Sequence, residues 1–345
     1  MPLAAVKEGR TAYTSFSLRA WSDFCCPTNC MKIAVVKSGK FKGAITDNPD
    51  YELQAYLGPN LGIFNPEENV YLSALIDDLG LCGIQTGNVM GFAAELFQRG
   101  ILSRDDLDGT ELRWGDAEAF AALAKKIAAR EGVGDLLAEG TYRAALKIGK
   151  MKNKDLLRYA VQSKGIGIGA HGIRSGMDFS NEIGFACSVQ GGDHSSMTNL
   201  PIDGWGSEIW TIFNDSAIMC VFTCFGFPEN SRYELYTAIT GLNLTRNEWA
   251  ANGGLKTLQI QRAQLLLGGP DLHWTPKVDD DNPSRFYEPL PSGPCKGQTA
   301  DKTSVSEGVH KYYEEAGWDA NGIPKSETLL RIGLGEVDDA LKKLR

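Results

Sequence analysis

Cys25, Cys26 and Cys30 form a compact group of thiols near the start of the 345-residue chain. In Cys26-Pro27-Thr28-Asn29-Cys30, two thiolates share one tight loop stiffened by proline, which suits two corners of an iron–sulfur cluster. A cubane cluster needs four ligands. The loop must therefore find Cys25 or the carboxylate of Asp23, and at least one distant residue. The best distant candidate is Cys220, in the apolar run Ile218-Met219-Cys220-Val221-Phe222, with Cys224 one helical turn later. Cys187, Cys224 and Cys295 read more simply as small buried apolar residues. Zinc is the competing metal for a cysteine pair. None of the four histidines lies within a few residues of either pair, so a Cys/His zinc module has little support.

Hydrophobic residues make up 43% and charged residues 23% of the chain, the balance of a soluble globular protein with no stretch that spans a bilayer. The net charge of −8, without a basic stripe, argues against nucleic acid as a partner. The first thirty residues lack the pattern of a secretory leader, so a cytoplasmic location is expected. Eight cysteines in that setting point to metal ligands or buried apolar residues rather than a disulfide framework. The length suits two domains.

The elements that must position these groups read as mostly helical. Ile33 to Val36 suits a strand. Helical spacing follows over Glu67–Asp77, with Gly80 placed as a C-terminal cap, and over Asn88–Arg99, stopped by Gly100. Asp116 is a candidate N-cap for a helix whose apolar stripe is Phe120, Leu123, Ala124, Ile127 and Ala128, ended by Gly132. Two shorter stretches fill Gly134–Ile148. Composition then changes at the glycine-rich segment Lys164 to Gly172, the candidate boundary between domains 1–163 and 164–345. Beyond it, Phe179–Val189, Ser207–Phe225, Tyr233–Gly241 and Asn247–Leu267 read as helices, the second and fourth buried. An irregular, proline-rich stretch, Pro270–Pro294, precedes a last helical pair at Glu307–Ala316 and Lys325–Ile332.

Three segments carry a specific likeness. Ile76-Asp77-Asp78-Leu79-Gly80-Leu81-Cys82-Gly83-Ile84 with Thr86-Gly87-Asn88, the run Glu131 to Gly140, and the closing Tyr312 to Pro324 resemble the aldehyde ferredoxin oxidoreductase family. The likeness extends from about Cys25 to the end and implies a mainly α fold of two packed helical domains, like domains 2 and 3 of that family. It also implies a tungsten, or less often molybdenum, atom held by two pterins, and a 4Fe-4S cluster passing electrons to ferredoxin. The family's pterin-binding motif, Asp-x-x-Gly-Leu-Cys or Asp-x-x-Gly-Leu-Asp, occurs twice. Asp77, Gly80, Leu81 and Cys82 match the first copy in full. The second copy keeps Asp215 and Cys220 but has Ile218 and Met219 in place of Gly and Leu. A carboxylate can accept hydrogen bonds from the donors of a pterin ring.

By the same resemblance Cys220 joins Cys26 and Cys30 as a cluster ligand. The family's first ligand would fall at Asp23, so either Asp23 supplies an oxygen or Cys25 takes the corner, and a thiolate suits the chemistry better. The implied reaction oxidises an aldehyde to a carboxylic acid. Glu52, in Tyr51-Glu52, maps onto the family's proton-handling glutamate, and burial would suit it to acid–base work. His194, in Gly191-Gly192-Asp193-His194, resembles the family's active-site histidine, which donates to the substrate carbonyl. His171 is its rival and reads as structural or channel-lining.

In the family a largely β N-terminal domain precedes the cysteine cluster and forms the base for the pterins. This sequence starts almost at the cluster, so a fragment, a split product or a separate chain supplying that base is expected. The family's Glu-x-x-His motif at a dimer interface is replaced by Tyr71-Leu72-Ser73-Ala74, which leaves homodimerisation only weakly implied. Two other functions compete with aldehyde oxidation: an aromatic-thioester reductase subunit using the same cofactor, and a cluster-bearing electron-transfer subunit without catalysis of its own.

Overall fold

A glycine ladder sets the geometry of the first half of the molecule. The computed structural model describes residues 17–22, 24, 26, 28, 30–47, 51–173, 181–222, 227–228, 230–269 and 272–345. It divides into two units: Met1–His171 with Pro283–Gln298, and Gly172–Asn282 with Thr299–Arg345. The glycine-rich segment Lys164–Gly172 spans the first of these breaks. The described residues are mainly helical with short strands. No helix among them is long and apolar enough to cross a membrane.

The first unit opens with an antiparallel sheet of β1 (Ser17–Trp21), β2 (Met31–Val35) and β3 (Ile45–Thr46), with Ala20 opposite Lys32 and Val35 opposite Ile45. Helices α1 (Tyr51–Tyr56), α2 (Pro66–Asp78), α3 (Gly83–Gln98) and α4 (Ala117–Ala129) follow. Asn65 caps α2 by accepting from the Glu67 amide, with Pro66 in the first turn, where its missing N–H costs nothing. Asp116 caps α4 through the Ala119 amide, as its position in the sequence predicts. Leu72 and Ile76 of α2, Met90 and Leu96 of α3, and Phe120 and Leu123 of α4 meet in one core. Each such side chain contributes about 1.5–3 kcal/mol on burial. Ala128, expected in the α4 stripe, is exposed.

Gly83, Gly87 and Gly91 lie one turn apart on α3 and let α1 and the turn at Pro59–Leu61 approach its backbone. A Cβ built on Gly87 would stand 2.7 Å from Tyr56 Cβ and 2.8 Å from the Tyr56 carbonyl oxygen; one on Gly83 would meet Leu53 Cγ at 2.9 Å. These glycines hide the first turns of α3 from a propensity reading, which starts the helix at Asn88, because each costs about 1 kcal/mol relative to Ala. Close packing against α1 offsets that cost. The unit continues with α5 (Val133–Leu137), α6 (Gly140–Lys152) and a small hairpin, β4 (Gln162–Ser163) with β5 (Ile166–Gly167).

The second unit contains α7 (Glu208–Ser216), α8 (Ser231–Thr240), α9 (Leu255–Leu267), α10 (Lys302–Ala316), α11 (Ser326–Arg331) and α12 (Gly335–Leu341). Its core holds a buried ion pair. Arg262 on α9 donates through both terminal nitrogens to Asp280, at 3.1 and 2.5 Å, and through Nε to the Gly322 carbonyl. Tyr313 of α10 donates to the same carboxylate at 2.5 Å, and the guanidinium lies 4.2 Å from the Trp318 ring centroid.

Residues 181–189 do not form the helix their composition predicts; they run as turns. The buried carboxylate of Glu208 takes the Val189 amide at 2.6 Å, and the Gly184 carbonyl accepts from the Thr198 amide at 2.8 Å. Helix bonds are therefore replaced by contacts across the loop. In the run Ser207–Phe225 the α-helix ends at Ser216, and the described residues after it, 217–222, are a turn followed by the start of a 3-10 stretch.

The two helix ends that carry the Asp motifs fold alike. After α2, the Gly80 amide donates to Asp77 O (2.9 Å) and the Leu81 amide to Ile76 O (3.1 Å); after α7, Ile218 donates to Asp215 O (3.2 Å) and Met219 to Asn214 O (2.8 Å). The residue that reverses the chain has positive φ in both, Gly80 at 68° and Ile218 at 54°. A β-branched residue there is strained by roughly 1–2 kcal/mol, and Ile218 is 93% exposed.

Two stability measurements check these points. Gly87→Ala should lower the denaturation free energy by about 1–2 kcal/mol, overpacking outweighing the helix-propensity gain. Gly83→Ala, which meets only a flexible leucine side chain, should cost less than half as much; equal costs would contradict the close approach to the Tyr56 backbone. Ile218→Gly should stabilise the protein by about 0.5–1 kcal/mol in urea titrations by relieving the left-handed strain, and a destabilised variant would show that the isoleucine side chain is needed.

Candidate active site

Glu52 is the second residue of α1 and only 5% exposed. Its Oε2 accepts from the Ala170 amide at 2.7 Å, and its Oε1 makes a short contact with His171 Nδ1. One carboxylate thus holds the backbone of one residue and the side chain of the next. The His171 ring lies against Tyr51, centroids 4.6 Å apart with the planes at 49°. Burial, and then the charge of Glu52, raise the Tyr51 pKa. Burial likewise pushes Tyr56 up to about 12, so both phenols stay protonated at neutral pH.

The glycine-rich segment is brought to Glu52 by α1 and α3. Gln85 accepts from the Gly167 amide and donates to its carbonyl, at 2.9 and 3.0 Å. Asn88 donates to the Val161 carbonyl at 3.0 Å and accepts from Thr141 Oγ1 at 2.6 Å, while Tyr56 donates to the Ile168 carbonyl. A Cβ on Gly167 would stand 2.9 Å from both Asn88 and Gln85, so this strand can lie on α3 only because the residue is glycine. His171, expected to be structural or channel-lining, contacts the carboxylate expected to handle protons, and the signal for that contact in the sequence is no more than a histidine inside a glycine-rich loop.

Asp77 closes α2 with its carboxylate exposed and Oδ2 accepting from Thr46 Oγ1 at 2.9 Å. Partial burial raises its pKa; the Thr46 bond opposes this, and the neighbouring charges of Asp47 and Asp78 add to it. Gly80 and Cys82 are exposed and Leu81 half-buried, and Cys82 is the N-cap residue of α3. In the second unit Asp215 is exposed and its pKa is raised by burial and by the charge of Asp193. Met219 is half-buried and Cys220 exposed. The Asp193–His194 loop therefore lies within electrostatic reach of the second motif. Its base is fixed by Glu208, which accepts from the Val189 amide and from Tyr312; the Ser188 hydroxyl lies 3.1 Å from that carboxylate and 3.0 Å from the Ser196 carbonyl. His194 Nδ1 stands 3.9 Å from Asp193 Oδ1, beyond hydrogen-bond length.

On the cysteine loop, Cys26 is half-buried and Cys30 exposed. Cys26 Sγ donates to the Thr28 carbonyl at 3.7 Å, the Cys30 amide to the same carbonyl at 2.7 Å, and Ser22 Oγ to the Cys26 carbonyl at 3.0 Å. Asp23, Cys25 and Cys224 lie outside the described residues. Cys187 is fully buried against Thr198, as a small apolar residue would be. The candidate residues Glu52, Asp77, Cys82, Cys26 and Cys30 belong to the first unit, and His194, Asp215, Met219 and Cys220 to the second.

Residues 8–334 match the family described as aldehyde ferredoxin oxidoreductase, domains 2 & 3. The aliphatic sulfonate oxidoreductase, WOR-like subunit, of Pyrococcus furiosus is 54% identical over 326 residues, covering 94% of this chain and 52% of the relative. The tungsten-containing aldehyde ferredoxin oxidoreductase of the same organism is 30% identical over 362 aligned residues, 97% of this chain and 56% of the relative. The chain thus spans about half the length of the curated relatives it matches. Among solved structures, the active site complex BamBC of benzoyl coenzyme A reductase with 1,5-dienoyl-CoA has a TM-score of 0.68 at 19% identity, over 100% of this chain and 57% of that one, a likeness of fold. The paired Asp turns and the buried glutamate are thus set in a chain that belongs to the aldehyde ferredoxin oxidoreductase family.

Proposed function

We propose that this chain is the cluster-binding and substrate-facing part of a tungsten-pterin oxidoreductase that oxidises aldehydes to carboxylic acids and delivers the electrons to ferredoxin. The observation that carries this reading is the buried Glu52 carboxylate, held by the Ala170 amide and His171. A buried carboxylate in hydrogen-bond contact with an imidazole is placed for proton chemistry.

The donor set suits the family's cofactors. Cys26, Cys30 and Cys220 would supply soft thiolates to a 4Fe-4S cluster, with Cys25 or Asp23 completing it. Asp77 with Gly80, Leu81 and Cys82, and Asp215 with Met219, would receive the two pterins. Each of these carboxylates ends a helix on an exposed turn where it can accept from a ring N–H. When bound, the tungsten group supplies a two-electron acceptor and the cluster a one-electron relay. The remaining pterin contacts come from a further part of the enzyme, on the same polypeptide or another.

In the reaction an aldehyde and water become a carboxylic acid, two electrons and two protons. His194 donates to the carbonyl oxygen as negative charge develops there, and the Glu52 centre takes up a proton from the attacking water. A second reading has its own support: at 54% identity, the relative named for aliphatic sulfonates argues for a sulfonate as substrate.

The purified holoenzyme distinguishes these. With ferredoxin or a redox dye as acceptor, an aliphatic aldehyde alone should drive reduction; reduction only with an aliphatic sulfonate would select the second reading. Metal analysis showing about four iron atoms per chain with no tungsten or pterin would leave only an electron-transfer subunit. Cys30→Ala should lose the cluster iron. Glu52→Gln should keep iron and tungsten while turnover falls about 10²–10⁴-fold; normal turnover would remove Glu52 from the mechanism.

A further inference from the structure

We infer that His171 is the proton-carrying residue of this site, and that Glu52 is the positioning residue that orients its ring. The inference deepens the proton-handling role given above to the Glu52 centre and rests on that reading. Both carboxylate oxygens of Glu52 are engaged, Oε2 by the Ala170 amide at 2.7 Å and Oε1 by His171 Nδ1. The glutamate side chain is 7% exposed, whereas the imidazole it holds is 53% exposed. The carboxylate therefore faces its neighbours, and the ring presents the surface that a substrate can reach.

An ionised Glu52 accepts a hydrogen bond, so Nδ1 carries the ring proton and Nε2 carries the lone pair. In the transfer an O–H bond of water breaks as it adds to the carbonyl, the electron pair stays on oxygen, and the proton forms an N–H bond at Nε2. The resulting imidazolium is stabilised by the adjacent carboxylate, and the exposed ring returns the proton to solvent. Tyr51 fixes the ring plane from one side. The Ala170 clamp fixes the backbone from which the ring projects, so a single glutamate sets both the position and the tautomer of the histidine.

Nitrogen NMR of the full-length, cofactor-free chain labelled at histidine reads the tautomer directly, with His171→Ala assigning the signal. The neutral ring should be the Nδ1–H form, and Glu52→Gln should reduce that preference. In the holoenzyme, His171→Ala should keep its iron and tungsten, lose about 10²–10⁴-fold in turnover, and recover at least about tenfold when imidazole is added to the buffer. His171→Phe, which fills the same space, should not be rescued. An Nε2–H tautomer in the wild-type chain, full activity of His171→Ala, or a folded, metal-replete His171→Ala that imidazole fails to rescue would each overturn the assignment. A wild-type holoenzyme inactive towards both aldehyde and sulfonate would instead sink the functional reading; the tautomer, measured without turnover, tells the two failures apart.

Discussion

The contact between the Tyr56 backbone and Gly87 is the constraint on which the first unit depends. Helix α1 has six residues and too few internal hydrogen bonds to hold itself in place. It is held because the glycine face of α3 admits its main chain, and because Tyr56 and Asn60 then reach polar partners there and in the glycine-rich segment. Glu52 and the 161–171 segment are placed by the same helix pair, α1 from one side and Gln85 and Asn88 of α3 from the other. The small residues are therefore part of the site although none of them carries chemistry.

The paired Asp turns obey a different logic. A carboxylate at the C-terminal end of a helix faces the negative end of the backbone dipole, and both α2 and α7 end on one. Asp77 is followed at once by Asp78, and Asp215 feels Asp193, so local electrostatics disfavour charge at both. Ile218 adds backbone strain to the second turn. Local rules broken twice in the same way, on the same hydrogen-bond pattern, fit groups kept for a ligand rather than for stability.

Much of the frame was legible in the sequence. Asp116 caps its helix, Gly80 and Gly100 reverse the chain after theirs, and Asp77 lies in the last turn of the helix expected there. What escaped depended on contacts distant in sequence. The 181–189 run has helical composition but folds as turns, with the Val189 amide given to Glu208 and the Gly184 carbonyl to Thr198, both beyond it in the chain. The helix after Ser207 stops early because Ile218 adopts a conformation that isoleucine rarely takes, so no propensity rule places the end there. His171 was visible as a residue, but its contact with Glu52 spans 119 positions and is created by the glycine-rich approach to α3. A lone histidine among glycines does not declare its partner.

The ion pair at Arg262 has a consequence for how the second unit responds to heat. Asp280 is gripped by α9 through Arg262 and by α10 through Tyr313, while the guanidinium reaches forward to Gly322, so segments far apart in the chain share one buried charge. None can peel away without stranding an ion in an apolar interior, a penalty that forbids partial fraying. Because the hydration that such charges forgo becomes less favourable as temperature rises, the knot weakens less on warming than an ion pair in cold water would imply. Helix α10 and the segments at Asp280 and Gly322 are thereby bound to melt together with α9, as one cooperative block.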